Sequence, residues 1–549
     1  MTPGRIALLP LDERPVNTSL PRDVAAVAGV DLALPPSRLL PRQREPGDVE
    51  GLAGWLRSTA GARSIGVCLD GLVHGGLIAA RTGDDPVEAC LDRLAVLGEL
   101  AALRPRPALD AVSVVTRAGD SDDAGEEPAY WSSYGRRLHR MGALLHDRFE
   151  ADGQEPAGRP DGSGPDGSAE EAGRSELDGV VSQLPPQVRR DFEHRRLRNH
   201  IVNLRALDLA SQGVLDTLLI TADDTAGRSA GSLEQRWIRH WARALGVDGS
   251  AGVLMYPGAD EVGCTLVARG LGRLAGGRPT RVAVACALPD GMSRVPPFEN
   301  AALAQSVPLQ VRAAGAQPVI GPGWGLPGGP VDVVLIVHPA AERPLDATVD
   351  VLPHGDDVDV LPHDATVDVL PHGDAAARAP ASLVSRALEG GAPVVVADAR
   401  YANGADPALV DELSGWGPDG RGLLGRLAGY AGWNTAGNTV GSAVGVAVAV
   451  TVGRRLGSGS AQARQRLLVH RLLEDDAYQA RGRRMIREEL GLASTGTPFG
   501  PGQEERAVAM ATGLLGQGLA RLGFDGWRVG AVRFPWHRTF EIDFEVSKV

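Results

Sequence analysis

Two adjacent carboxylates, Asp223 and Asp224, follow the apolar run 215–220 after Thr221 and Ala222, and this run is typical of a buried β-strand. Like charges a few ångströms apart raise each other's pKa, so one acid of such a pair can stay protonated while its neighbour is ionised. Acid/base catalysis needs this arrangement. The alternative is a helix N-cap, because an Asp before the helical pattern 233–245 would accept hydrogen bonds from free backbone N–H groups.

Charged and polar residues follow the other predicted strands in the same way. Capping explains one acid at a strand end, but five or more acids on one face would repel each other at a cost in stability. Because the carboxyl ends of parallel strands carry the ligand site of α/β folds, we expect these residues to form one site. Beside the candidate catalytic pair, the candidate substrate-binding residues are Asp12, Glu13, Arg14, Asp70, Arg117, Asp260, Glu261, Asp398, Tyr401, Trp433 and Asn434.

Strand and helix patterns alternate from residue 5 to about 440, which predicts a parallel α/β core. Because we count roughly eight major strands, a (β/α)8 TIM-barrel-like catalytic domain over residues 1–440 is our first expectation. The alternative is two doubly wound α/β domains that divide near residue 278. Residues 441–549 predict a C-terminal helical region that ends in a β hairpin.

Two inserts interrupt this pattern. Residues 151–175 are rich in Gly, Pro, Asp, Glu and Ser and lack apolar periodicity, which predicts disorder. The second insert, 345–374, holds three copies of a nine-residue repeat within 349–372. Such a repeat could form a metal-binding solenoid, but three units without caps are more typical of a duplicated loop.

Composition limits the partners. The chain has 549 residues, 43% of them hydrophobic, and a formal charge of -12, which argues against nucleic-acid or anionic-membrane partners. The start lacks the apolar core of a signal peptide, and no run of about 18 apolar residues occurs. We therefore expect a soluble, cytoplasmic protein that binds a small carbohydrate, and a homo-oligomer is compatible with these features.

The cysteines and histidines indicate no cofactor and no metal centre. The four cysteines, Cys68, Cys90, Cys264 and Cys286, are scattered, so neither a disulfide framework nor a zinc site is expected. His74, His200 and His537 are isolated, and no H-E-x-x-H spacing is present. The phosphate-binding G-x-x-x-x-G-K-[ST] motif is also absent from the sequence.

A face crowded with carboxylates suits three functions. Hydrolysis of a glycosidic bond needs a proton donor and a charged partner, with further acids binding sugar hydroxyls. A metal-dependent hydrolase or lyase would use carboxylates such as Asp70, Asp223 and Asp260 as ligands. A sugar or metabolite sensor would bind through the same face without cleaving its ligand.

Four motifs resemble a bacterial family catalogued as a domain of unknown function, whose signature is an opening PLDERPVN. They are residues 9–17 (LPLDERPVN), 222–225 (ADDT), 258–263 (GADEVG) and 431–439 (AGWNTAGNT). Their order and spread extend the resemblance over nearly the whole chain. The inserts, and residues 225–228 where an aromatic residue often follows the acid pair, depart from that family's pattern.

The acid pair also resembles that of retaining, substrate-assisted β-N-acetylhexosaminidases with barrel scaffolds. The resemblance implies that Asp223 orients and polarises the 2-acetamido group of the sugar and that Asp224 is the general acid/base. Tyr401, Trp433 and Asn434 are candidates to surround the acetamido group. We therefore expect an exo-acting hydrolase of N-acetylgalactosaminides or N-acetylglucosaminides.

Overall fold

Two open, parallel β-sheets form the framework of the protein. The computed structural model describes residues 6–153, 167–249, 252–341, 375–415 and 422–549. The strands of the first sheet are β1 (Ile6–Leu9), β2 (Leu32–Ala33), β3 (Ser64–Cys68), β4 (Ala108–Val115), β5 (Thr217–Ala222) and β6 (Val253–Pro257). Those of the second sheet are β7 (Arg281–Ala285), β8 (Gln317–Ile320), β9 (Val333–His338), β10 (Val394–Asp398) and β11 (Gly429–Ala431).

The strand order is β2-β1-β3-β4-β5-β6 in the first sheet and β11-β10-β9-β7-β8 in the second. Neighbouring strands are parallel throughout both sheets. Central strands such as β5, β9 and β10 are buried along their whole length. Their continuous apolar runs are what parallel strands covered by helices on both faces require.

The expectation of a (β/α)8 barrel over residues 1–440 is wrong for the part of the chain that the structure describes, because neither sheet closes. A barrel would continue the ladder from β6 into β7, but β7 pairs with β8 and β9 instead. The chain changes sheet between β6 and β7, an interval that contains residue 278. Strand–helix alternation is common to barrels and open sheets, so it predicts the α/β class without deciding closure.

Helices cover both sheets and fill the space between them. Their bounds are α1 Ser19–Val27, α2 Val49–Ser58, α3 Leu69–His74, α4 Leu77–Thr82, α5 Val87–Arg93, α6 Ala95–Ala101, α7 Trp131–Gly153, α8 Gly167–Ser182, α9 Pro186–Ser211, α10 Ala230–Ala244, α11 Val262–Ala275, α12 Leu303–Ala313, α13 Ala375–Glu389, α14 Pro407–Gly415, α15 Ala436–Leu456, α16 Ala461–Leu472, α17 Arg483–Leu490 and α18 Gln503–Arg521. A π-helical segment, Leu473–Gly482, joins α16 to α17.

The two predicted inserts are described only in part. Residues 151–153 lie in α7 and residues 167–175 lie in α8, so the helices extend into the stretch that we expected to be disordered. Residues 154–166 and the insert 345–374, with its nine-residue repeat at 349–372, lie outside the described residues.

Helix α15 is the central helix between the sheets. It is long and apolar enough to cross a membrane by length and composition, but 94% of its most apolar window is buried inside the protein. It packs against α11 and against strands of the second sheet. Glycine permits the close approach, since a Cβ at Gly441 would lie 2.1 Å from Glu261 Cγ of the segment leading into α11. The two sheets thereby share one hydrophobic core.

The C-terminal segment returns to the first sheet. Strands β12 (Trp527–Arg533) and β13 (Asp543–Lys548) form an antiparallel pair. Their connection lies against the loop that follows β1, where Trp536 Nε1 donates to Glu13 Oε1 at 2.6 Å. The end of the chain thus closes over the carboxyl ends of the first sheet.

Candidate active site

The acid pair lies at the carboxyl end of β5. The N–H of Asp223 donates to the Val115 carbonyl at 3.1 Å and extends the ladder one residue beyond the strand. Asp224 then adopts φ +33°, an uncommon conformation for a residue with a side chain. The next N–H, of Thr225, donates to the Phe298 carbonyl at 2.9 Å and fixes the turn. The backbone therefore holds two consecutive carboxylates at a strained position, a feature common at functional sites.

Different arginines bind the two acids. Arg81 Nη2 lies 2.5 Å from Asp223 Oδ2, and Arg117 Nη1 lies 2.9 Å from Asp224 Oδ2. Asp224 keeps 31% of its side-chain surface exposed, against 11% for Asp223. Partial burial, reinforced by the charge of Asp223, raises the pKa of Asp224 to about 6 despite the opposing effect of Arg117. The more accessible acid can therefore hold a proton close to neutral pH.

Asp70 follows β3, which is separated from β5 by β4 in the first sheet. It begins α3 directly after β3 and is buried, with Oδ2 accepting a hydrogen bond from the Val114 N–H at 3.0 Å. Burial raises its pKa to about 7, and the charge of Asp223 adds to this effect. Asp70 is thus a second proton-holding carboxyl within electrostatic reach of the pair.

A second group of charges surrounds Arg14, after β1. The guanidinium donates to Asp12 Oδ2 at 2.7 Å, to Asp260 Oδ1 at 2.6 Å and to Glu541 Oε1 at 3.1 Å. Asn434, from the second sheet, donates through Nδ2 to Asp260 Oδ2 at 2.7 Å. The structure therefore brings together three motifs that are far apart in sequence, and the C-terminal segment supplies the third acid, Glu541.

The loop between β4 and α7 joins the two groups. Glu127 accepts from Arg117 Nε at 2.9 Å. Glu126 lies 3.1 Å from Arg117 Nη2 and 2.5 Å from Arg538 Nη1. Arg538 in turn lies 3.7 Å from Glu541, a member of the group around Arg14. One continuous network of ion pairs therefore connects the carboxyl ends of β1, β4, β5 and β6.

Two of the predicted binding residues, Glu13 and Glu261, make structural contacts instead. Glu13 accepts hydrogen bonds from the Gln43 N–H at 2.7 Å and from Trp536, and burial raises its pKa. Glu261 is fully buried beneath Gly441, and burial raises its pKa to about 8. Both residues support the loops that carry the site, and neither joins the ion-pair network.

Three of the predicted residues that follow strands of the second sheet are buried. Asp398 is fully buried and accepts a hydrogen bond from the Tyr430 hydroxyl at 2.6 Å. Tyr401 and Trp433 are also buried, at 6% and 4% exposure. The Trp433 ring packs against Phe540, with 5.9 Å between ring centroids. Asn434 differs from these three residues, because its side chain donates a hydrogen bond to Asp260 of the first sheet.

Comparison with known proteins gives one match. A family described as a protein of unknown function (DUF4127) matches residues 6–545. The chain belongs to this family. Membership over nearly the whole chain agrees with the expectation drawn from the sequence motifs. No curated protein and no solved structure matches the chain. The family thus establishes a relationship without an activity, and the chemistry follows from the site.

Several residues of the site were not among the candidates chosen from the sequence. The acidic loop 120–127 and the polar stretch 535–541 carried a recognisable signal, because both interrupt regular patterns near candidate residues. Arg81 carried none, since one arginine in a short helix looks solvated. Phe298 is 41% exposed and touches the turn of the acid pair through its carbonyl. The added residues are Arg81, Glu126, Glu127, Phe298, Arg538 and Glu541.

The described part of the chain contains no group of three or more His, Cys, Asp or Glu arranged to hold a metal ion. The carboxylates that a metal-dependent hydrolase would use already have protein partners. Asp70 binds a backbone N–H, Asp223 pairs with Arg81, and Asp260 pairs with Arg14. Arginines therefore pair with two of these three carboxylates.

Proposed function

We propose that the protein is a glycoside hydrolase in which Asp224 is the general acid/base and Asp223 is its charged partner. The observation that carries this proposal is that the two acids at the end of β5 have different environments. Arg81 binds Asp223 as an ion pair at 2.5 Å, while the neighbouring Asp224 has a pKa raised to about 6. Two carboxyls with different environments are what acid-assisted cleavage of a glycosidic bond needs.

We further propose an N-acetylhexosaminide as substrate and a substrate-assisted mechanism. Asp224 donates its proton to the glycosidic oxygen as the bond between that oxygen and the anomeric carbon breaks. The acetamido carbonyl oxygen of the sugar forms a new bond to the anomeric carbon, and Asp223 orients the acetamido N–H. Asp224 then takes a proton from water, which opens the cyclic intermediate and releases the sugar with retained configuration.

The surroundings of the pair supply groups that recognise a sugar. Asn434 has a left-handed backbone (φ +65°), and its side-chain amide donates a hydrogen bond to Asp260. The two side chains can therefore bind a hydroxyl or amide group of a sugar together. Phe298 presents an exposed ring next to the turn of Asp224, and aromatic faces stack on sugar rings. Together they provide polar and apolar contacts beside a proton donor.

One observation favours the second candidate, a sugar sensor that binds without cleavage. Both acids of the pair already form ion pairs, with Arg81 and Arg117, and such pairs can serve binding alone. A sensor would use the same face, and removal of either carboxylate would weaken its ligand affinity. Turnover is therefore the property that separates the two candidates.

The test is release of p-nitrophenol from a panel of aryl N-acetylhexosaminides and plain hexosides. The wild type, Asp223→Asn and Asp224→Asn are compared with Asp525→Asn, a control in which the changed side chain is exposed. We expect turnover of acetamido sugars alone, lost in both pair variants and retained in the control. Turnover of plain hexosides would assign Asp223 as a nucleophile or base, and absence of turnover on every substrate would refute the hydrolase.

A further inference from the structure

Glu126 is held by three arginines from three separate parts of the chain. Its carboxylate lies 3.2 Å from Arg81 Nη1, 3.1 Å from Arg117 Nη2 and 2.5 Å from Arg538 Nη1. The arginines come from α4, from the end of β4 and from the connection between β12 and β13. Glu126 itself lies on a loop without helix or strand between β4 and α7, and 16% of its side chain is exposed.

The arginines determine the charge of this carboxyl. Burial alone would raise the pKa of Glu126, but the guanidinium groups of Arg538, Arg117 and Arg81 hold it well below its usual range. Glu126 is therefore an anion in a cradle formed by three arginines.

Each of these arginines also has another acid. Arg81 pairs with Asp223, Arg117 pairs with Asp224, and Arg538 lies near Glu541. Glu126 is thus the anion that the three cations share, and none of them depends on it alone.

The cradle has hydrogen-bonding capacity that Glu126 does not use. The Nε atoms of Arg81 and Arg538 are buried and have no hydrogen-bond partner among the described residues. The side chains of these arginines are 3% and 8% exposed. Buried donors without acceptors are costly, and these two N–H groups are available to additional oxygens of a ligand.

The loop that carries Glu126 is also held from outside. Arg44 donates to the carbonyls of Ala124 and Gly125 at 2.8 Å each and to that of Glu127 at 3.0 Å. These contacts are largely exposed, so they can be exchanged for water at little cost. Long loops of this kind beside a site commonly serve as movable covers.

We propose that Glu126 occupies the place of a substrate carboxylate and that the site binds a sugar acid next to Asp223 and Asp224. Glu126 is the anion that contacts all three guanidinium groups, so a neutral ligand that displaced it would leave this shared contact unfilled. An anionic ligand keeps the charge balance. A planar carboxylate also matches the fork of donors that guanidinium groups present. The inference rests on the proposed function, because the sugar acid is the unit of the substrate that is joined to the acetamido sugar cleaved at Asp224.

The test measures binding of glucuronate and of glucose by isothermal titration calorimetry. Glu126→Gln keeps the shape of the side chain and removes its charge, so the competing anion is lost. We expect this variant to bind glucuronate about tenfold or more tightly than the wild type, with glucose unchanged. Glu193→Gln, at an exposed position of α9, is the matched control and should equal the wild type.

Two further variants keep the test decisive if Glu126→Gln does not fold. Arg44→Ala loosens the loop from outside without touching the cradle, and it should also tighten glucuronate binding. Arg538→Met, added to either variant, should abolish the gain. Equal glucuronate affinity in the wild type, Glu126→Gln and Arg44→Ala would overturn the proposal.

Further outcomes of these measurements distinguish a carboxylate from another anion, and the sugar-acid site from the hydrolase activity. If inorganic phosphate binds Glu126→Gln more tightly than glucuronate does, the assignment of a carboxylate is overturned. If glucuronate does not bind while neutral acetamido sugars are still cleaved, the sugar-acid site is refuted and the proposal of a hydrolase is not affected. Tighter glucuronate binding in Glu126→Gln, without turnover of any glycoside by the wild type, would support the anion site and refute the hydrolase.

Discussion

Replacing Glu261 with Gln should stabilise the protein, and the gain should grow as the pH rises. Glu261 is fully buried, and Gly441 of α15 packs directly against its side chain. Burial is the main reason that its pKa rises, and the nearby acids Asp260 and Glu299 add to the effect. Gln has the same shape as the protonated acid but no proton to lose.

The size of the effect follows from the difference between the folded and unfolded states. The pKa of Glu261 rises from 4.5 to about 8 on folding. Below pH 4.5 the acid is protonated in both states, so the substitution changes little. Between these values the unfolded chain releases the proton and the folded protein keeps it, which lowers wild-type stability by about 1.4 kcal/mol per pH unit. Glu261→Gln should therefore gain about 3 kcal/mol near pH 7 and about 5 kcal/mol above pH 8.

Urea unfolding at pH 4.5, 7 and 9 measures this difference. Glu505→Gln, on the exposed side of α18, is the control and should show no comparable dependence on pH. A Glu261→Gln variant that is equally destabilised at all three pH values would refute the reasoning. Such a result would mean that the pKa of Glu261 does not change on folding and that Gln weakens the packing at this position independently of pH.

Two further predictions concern the acid pair and the helix behind it. Since the general acid must be protonated, kcat/KM should fall as the pH rises past about 6. Arg117→Gln should move this fall to higher pH, because Arg117 lowers the pKa of Asp224. A pH–rate profile that is the same in Arg117→Gln and the wild type would contradict this role. Gly441→Ala should destabilise the protein by about 1–3 kcal/mol or more through overpacking against Glu261, whereas Gly513→Ala, where an added Cβ meets no atom within 4 Å, should be neutral or stabilising in thermal unfolding.

The sequence predicted where strands end but not how the strands pair. The apolar run 215–220 corresponds to β5, Thr217–Ala222, and the acid pair follows it directly. Apolar periodicity is a local property, so it locates a strand and the residues at its end. Whether β7 pairs with β6 or opens a second sheet depends on packing between helices such as α11 and α15, which no single segment reports.

Long-range contacts also explain which site residues the sequence missed. Acids in motifs were recognisable because their neighbours marked strand ends, as for Asp12 and Asp260. Their arginine partners carry no such mark. Arg538 meets Glu126 across 412 positions of sequence, and Arg14 meets Glu541 across 527. Only the folded chain shows that the C-terminal segment completes a site that begins at β1.

The network has more acids than cations, and this imbalance explains how a proton comes to be held at the site. Each arginine is shared between two or more carboxyls, so repulsion among the acids is relieved only if some of them stay protonated. Burial favours the protonated form of two acids, Glu541, whose pKa rises to about 7, and Asp224, whose pKa rises to about 6. Asp224 is the more exposed of the adjacent pair, so its proton lies where a substrate can reach it. The acids of the network are Asp12, Glu126, Glu127, Asp223, Asp224, Asp260 and Glu541, and the arginines are Arg14, Arg81, Arg117 and Arg538.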